Sequence, residues 1–392
     1  MKRAEFPALQ DGHAYLDGAA GTQVPASVID AIAGTYRRGI GNVGGAFPAS
    51  HRADEIVANA RQAVADLVGG DPGGVILGAN MTTLTYRLAN TLATGWQPGD
   101  EVVVTRLDHD ANVRPWVQAA EKAGATVKWA DVDRATGDLP TGQFDALLSE
   151  RTRLVAVTAA SNVLGTRPDV ASITAAAHNA GALTYVDGVH ATPHGPTDRT
   201  ALGADFYATS AYKWCGPHVG AVVADPALLD TLRPDKLASS SDDVPNRFET
   251  GTLPFADLAG VTAAVEHLAG LTDATGTRRE RLLASMTAAE DHEQRLFARL
   301  LDGLREIPGV TLHGAPQRRT AVAYFTIDGQ TPRQTAETLA AAKVNVWNGH
   351  NYAWELTGAL GIRDAGSAVR ASIVHYNDGT DVDRLLDCLQ RT

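Results

Sequence analysis

The sequence predicts an α/β fold, with a large doubly wound, mostly parallel sheet domain and a smaller α+β domain. Three observations carry this reading. From residue 75 short β-branched runs alternate with Ala-rich segments of helical period. After Pro254 that alternation gives way to long helices and then to strands and helices interleaved. At 392 residues the chain also exceeds the size at which one hydrophobic core usually stops growing. The large unit is placed at residues 15–260, and the small one at 261–392 together with 1–14.

In chain order, Val28–Arg38 has helical period. Val75–Leu77, Glu101–Thr105, Thr126–Asp131, Arg153–Thr158, Leu183–Asp187, Asp205–Thr209 and Val219–Ala224 read as strands. Between them Thr83–Leu92, Asn112–Ala123 and Ala171–Asn179 read as helices. Ala256–Leu271 and Arg278–Glu306 are helical, rich in Ala, Leu, Glu and Arg. Strands are expected at Val322–Ile327, Val344–Trp347 and Val369–His375, with helices at Pro332–Ala342 and Val382–Gln390. There is no internal repeat and no low-complexity tract.

Composition excludes several classes. Apolar residues make up 44% and charged residues 20%, as in an average globular protein. No run approaches the ~20 apolar residues of a membrane helix, and no apolar segment follows the charged N-terminus as a secretory signal requires. The net charge of −11 argues against a sequence-independent nucleic-acid binder, which needs clustered Lys and Arg. Two cysteines, Cys215 and Cys388, are too few for a disulfide framework, so a reducing, cytoplasmic setting is expected.

Gly39-Ile-Gly41-Asn-Val-Gly44 matches the dinucleotide fingerprint G-x-G-x-x-G. That motif needs a strand before it and a helix directly after. Here a helical segment precedes it and Phe47-Pro48 follows, so a flexible loop is expected instead. A metal cluster of Asp108, His109, Asp110, His190 and His194 is not expected either, since nothing in the spacing fixes four ligands.

The informative residues lie at strand ends. Val75–Leu77 runs into Gly78-Ala79-Asn80-Met81-Thr82-Thr83 and a helix, a turn whose free N–H groups suit a phosphate. Leu183–Asp187 ends in a carboxylate followed by Gly188-Val189-His190, at the sheet edge where ligands bind in open α/β folds. Lys213 follows an apolar strand, flanked by Tyr212 and Trp214. Burying an ammonium is costly, and a desolvated lysine of lowered pKa is what Schiff-base chemistry needs.

Together these residues resemble the class V aminotransferase family, and within it the cysteine-desulfurase-like branch of pyridoxal phosphate (PLP) enzymes of fold type I. The resemblance runs from Tyr15-Leu-Asp-Gly-Ala-Ala to Val369-Arg-Ala-Ser-Ile-Val-His-Tyr-Asn, with the motifs in family order. It implies PLP as cofactor, a small amino acid as substrate, and a homodimer with shared active sites. Lys213 then matches the lysine that holds PLP, and Asp187 the carboxylate on its ring nitrogen. His109 matches the histidine stacked on the ring, and Asn162 the asparagine near its phenolic oxygen. Met81, Thr82 and Ser210 fall at phosphate-binding positions, and Thr252 resembles the threonine that reaches the phosphate of the other subunit. Arg370 matches the arginine that grips the substrate carboxylate. By analogy with relatives, Phe47, His51 and Arg52 are candidates for the substrate mouth.

Three positions depart from the desulfurase pattern. His190 stands where a glutamine is usual, and Tyr212 where a histidine often holds the phosphate. In the loop Gly349-His350-Asn351-Tyr352-Ala353, Tyr352 occupies the position of the cysteine that takes sulfur from the substrate. Cys215, two residues beyond Lys213, would share its side of the chain if the segment were a strand; Cys388 is expected to pack in the last helix. A C–S β-lyase on a cysteine S-conjugate is therefore the expected activity, with His350 and Tyr352 near the substrate. Decarboxylating oxidative deamination of an S-substituted cysteine, desulfuration through a non-loop cysteine, and a catalytically quiet PLP-fold partner protein are the alternatives.

Overall fold

The structure is a computed structural model and describes residues 1–391. Its centre is a seven-stranded sheet in the order Val75–Gly78, Gly220–Ala224, Phe206–Ser210, Leu183–Asp187, Thr152–Thr158, Glu101–Thr105, Thr126–Ala130. Gly220–Ala224 alone runs antiparallel to its neighbours. Because successive side chains leave a strand on opposite faces, each run feeds two cores. Val155, Val157, Val186 and Tyr207 pack into one. Leu154, Ala156, Tyr185, Phe206 and Ala208 pack into the other. Strands buried on both faces are continuously apolar, which is why they were legible as β-branched runs.

The second unit is a four-stranded antiparallel sheet, Trp347–Gly349, Ala368–Ser372, Val322–Ile327 and Val310–Leu312. The helices Arg278–Glu306 and Gly379–Leu389 close a third core with it through Phe297, Leu300, Leu304, Val382 and Leu385. Arg278–Glu306 starts at a capping box in which Thr277 and Glu280 satisfy each other's N–H groups. Ala14–Tyr15 pairs in parallel with Val344–Asn345, so the start of the chain is tied to its last third.

The structure departs from the sequence reading at a few elements. Val344–Trp347 is two strands, since Val344–Asn345 and Trp347–Gly349 belong to different sheets. The strand expected to reach His375 ends at Ser372. A helix does follow the glycine motif, Pro48–Val68, with proline in its first turn where the missing N–H costs nothing. The motif is still no dinucleotide site, because a helix, Ala26–Arg38, and not a strand leads into it. Among the described residues, no helix is long and apolar enough to cross a membrane.

Candidate active site

The site assembles at the carboxyl ends of three adjacent strands. Thr158 is in register with Asp187, and Asp187 with Ala208, two residues before Ser210. The helix Met81–Ala93 begins at the same edge, capped by Asn80, whose Oδ1 accepts from the Thr83 N–H at 2.9 Å. The Met81 N–H donates to Ser210 Oγ at 3.1 Å. Gly220 permits this approach, since a Cβ there would lie 2.2 Å from the Asn80 carbonyl carbon. Met81, Thr82, His109, Thr158, Asn162, Asp187, His190, Tyr212 and Lys213 line one deep recess. It opens into a cavity of about 890 Å³ that adds Tyr86, Arg114, His218, Trp347, His350, Tyr352 and Arg370.

Lys213 ends the short 3-10 turn Ala211–Lys213, and its Nζ donates to the carbonyls of Ala19 (2.6 Å) and Ala20 (2.9 Å). Desolvation, with Arg370 nearby, lowers its pKa to about 7. Asp187 accepts from the Val189 N–H at 2.9 Å, and burial raises it to about 6. Behind it lies Asp108, pushed by burial to about 8 and bonded by Thr105 Oγ1 and Asn112 Nδ2. His109 Nδ1 accepts from the Ala111 N–H at 3.0 Å, which leaves the ring proton on Nε2. Burial holds this imidazole at about 3, so it is neutral. His190 Nε2 meets Thr320 Oγ1 at 2.9 Å, and burial depresses it too.

Arg370 is fully enclosed, and its Nη1 donates to the Asn162 carbonyl at 2.9 Å. Burial brings it to about 10, still a cation at neutral pH. Among the described residues its Nε has no partner, and neither have Asn162 Oδ1 or Asp17 Oδ1. Such orphaned groups are rare in a folded interior and mark where a polar ligand is missing.

The loop after Trp347–Gly349 borders the mouth. Asn162 Nδ2 donates to the Asn351 carbonyl, and the Asp110 N–H to the Tyr352 carbonyl, each at 2.8 Å. Asn351 and Tyr352 are held at positive φ, 48° and 59°, which a β-carbon disfavours. The Tyr352 side chain is 67% exposed, and its ring lies over His109 with centroids 5.3 Å apart. His350 Nδ1 accepts from the Tyr352 N–H at 3.0 Å. Tyr212 stacks on His218 at 4.9 Å.

Four sequence candidates lie apart from this cavity. Arg52 donates to the carbonyls of Arg38 and Gly39, fastening the end of the preceding helix. Phe47 and His51 are exposed on the same helix start. Thr252 sits in an exposed loop and does not line this chain's own cavity. Cys215 does not share the side of Lys213, because the segment is a turn and not a strand; it packs with Phe6, Leu9, Val374 and Tyr376. Of the residues weighed as metal ligands, Asp110 pairs with Arg114 and His194 with Glu293. Sequence reasoning missed Asp17, Thr158 and Tyr86. Thr158 had a signal, being the last residue of a buried strand beside the one ending in Asp187.

The family profile described as aminotransferase class-V matches residues 14–385. The chain belongs to the class V aminotransferase family. An uncharacterized protein of Mycobacterium tuberculosis is 38% identical over 99% of this chain and 97% of its own length. A probable cysteine desulfurase of Pseudomonas aeruginosa is 35% identical over 100% of this chain and 97% of its own. Among solved structures, the cysteine desulfurase CsdA of Escherichia coli superposes with a TM-score of 0.87 at 29% identity, covering 99% of this chain and 96% of that one. The apo cysteine desulfurase of Thermococcus onnurineus gives 0.90 at 26% identity, with the same coverage. The architecture is therefore PLP fold type I, and the protein is a PLP-dependent enzyme of the desulfurase-like branch. The recess fits that cofactor chemically. It offers a lysine near neutrality, a carboxylate, a flat neutral imidazole and a helix N-terminus around unpartnered polar atoms.

Proposed function

We propose that this enzyme is a C–S β-lyase that cleaves a cysteine S-conjugate to a thiol, pyruvate and ammonia. Tyr352 carries the reading. It stands where the resemblance to desulfurases places the sulfur-accepting cysteine, and it is exposed at the cavity mouth over His109. Neither cysteine of the chain lines the cavity. Cys215 is enclosed in a separate core, and Cys388 lies in the last helix beside the Thr338 carbonyl.

PLP, when bound, supplies the electron sink for negative charge developing at the substrate Cα. Lys213 Nζ, Asp187 and the face of His109 would hold its aldehyde, ring nitrogen and ring. Asn162 and His190 would flank its phenolic oxygen, and Met81, Thr82, Ser210 and Tyr212 its phosphate, at a helix N-terminus suited to an anion. Thr252 would serve the site of the other subunit in a homodimer.

The chain's own residues then divide the work. Arg370 receives the substrate carboxylate, supported by its bond to the Asn162 carbonyl. Lys213, once free, takes the Cα proton on Nζ; a pKa of about 7 leaves much of it as amine at neutral pH. Tyr352 walls the space for the sulfur substituent, and the thiolate leaves through the open mouth to be protonated by solvent. One water enters the products as the remaining fragment hydrolyses to pyruvate and ammonia.

The test offers PLP-loaded enzyme L-cysteine and S-methylcysteine separately. The proposal expects methanethiol and pyruvate from S-methylcysteine. Alanine and protein-bound persulfide from cysteine, with S-methylcysteine untouched, would overturn it in favour of desulfuration.

A further inference from the structure

Cys215, His267 and His375 are far apart in sequence, yet one ligand atom from each lies within 4.8 Å of the others, and all three side chains are buried. Cys215 Sγ is 4.0 Å from His375 Nε2. His267 Nδ1 is held by Glu5 Oε2 at 3.0 Å, which leaves Nε2, a buried atom with no partner among the described residues. A carboxylate on one imidazole nitrogen, with the other nitrogen bare, is how proteins orient histidine towards a metal. Phe6 closes the cluster, its ring edge-on to His267 at 5.1 Å.

We propose that Cys215, His267 and His375 form a metal site, distinct from the catalytic recess, for a borderline-soft ion such as Zn²⁺, with Glu5 orienting His267. One thiolate and two imidazoles select Zn²⁺ over Mg²⁺ or Ca²⁺, which prefer oxygen. Bonds of about 2.0–2.3 Å put tetrahedral ligands about 3.5 Å apart, so the side chains must draw in by roughly 1 Å. Three protein ligands leave a fourth position for water. Binding converts the Cys215 thiol to a thiolate and releases one proton to solvent; no oxidant or reductant takes part.

The site touches the catalytic turn directly. The Cys215 N–H donates to Thr22 Oγ1 at 2.7 Å, and the Thr22 N–H donates to the carbonyl of Tyr212, the neighbour of Lys213. Drawing Cys215 inward therefore pulls on the segment that carries Lys213.

The experiment titrates chelator-treated, PLP-loaded full chain with Co²⁺, a spectroscopic stand-in for Zn²⁺. One equivalent is expected to give a near-ultraviolet thiolate-to-cobalt band with visible four-coordinate bands, both bleached by Zn²⁺. Cys215→Ser loses the thiolate band, and Glu5→Gln weakens affinity about 10–100-fold while leaving the ligands in place. No thiolate band in the wild-type protein, or the same band in Cys215→Ser, overturns the proposal. If Cys215→Ser fails to fold, the absence of a thiolate band in the wild-type protein, or an undiminished affinity in Glu5→Gln, still decides against it.

Discussion

Replacing Arg370 by alanine separates substrate recognition from cofactor binding. Arg370 is fully enclosed, donates through Nη1 to the Asn162 carbonyl, and keeps its Nε without a partner. Truncating one partner of a buried charge pair costs about 2–5 kcal/mol. At 1.36 kcal/mol per decade, that is about 30-fold to several thousandfold in affinity for a carboxylate substrate. A second effect has a definite sign. After desolvation, the nearby Arg370 guanidinium does most to hold Lys213 below its ordinary pKa. Removing it raises the pKa of Lys213, so the pH at which the base becomes free moves up. The assay measures KM for the amino acid and for its decarboxylated amine, with kcat against pH. KM should rise for the amino acid only, and the acid limb of kcat should move to higher pH. Unchanged KM for the carboxylate substrate would remove Arg370 from the site and refute the reasoning.

Other substitutions test the remaining roles. Lys213→Ala should abolish turnover and the visible absorbance of covalently held cofactor; normal turnover would exclude Lys213 as base. In the wild-type protein, kcat should rise with pH through about 7 and level off as Lys213 Nζ loses its proton, and a flat profile would contradict that role. Tyr352→Phe should keep most of the activity while Tyr352→Ala raises KM, because a wall needs the ring and not the hydroxyl; a collapse of kcat in Tyr352→Phe would make the phenol a proton donor. Asp108 is raised to about 8, so the folded state binds the extra proton between the unfolded value and about 8, and that contribution to stability is lost as pH rises through this window. Asp108→Asn lacks the titration, so thermal melts should favour it over wild type increasingly from about pH 4 to about pH 8. A pH-independent difference would contradict the assignment.

How much was legible follows from how each element is stabilised. Glu101–Thr105, Leu183–Asp187, Val322–Ile327 and Arg278–Glu306 have the expected bounds, because buried strands and a long capped helix write their period into the chain. The two-residue strand Ala14–Tyr15 has no period and depends on Val344–Asn345 arriving beside it. Strand-end rules reached Asp187 and the turn at Met81, and the resemblance supplied the roles at His109, Asn162 and Arg370. Tyr352 over His109 and the unpartnered atoms of Asp17 and Asn162 depend on where loops from distant parts of the chain meet. Cys215 leaves the side of Lys213 because a turn, with φ 67° at Cys215, replaces the strand whose alternation would have kept them together.

The most direct test of the central claim follows carbon through the reaction. An S-substituted cysteine labelled at the carboxyl carbon is turned over by PLP-loaded enzyme, and products are resolved by mass spectrometry. C–S β-elimination predicts that all the label stays in pyruvate, matched mole for mole by free thiol and ammonia. Label released as carbon dioxide, with the sulfur substituent retained on an aldehyde, would show that the Cα–carboxylate bond breaks instead and would contradict the account.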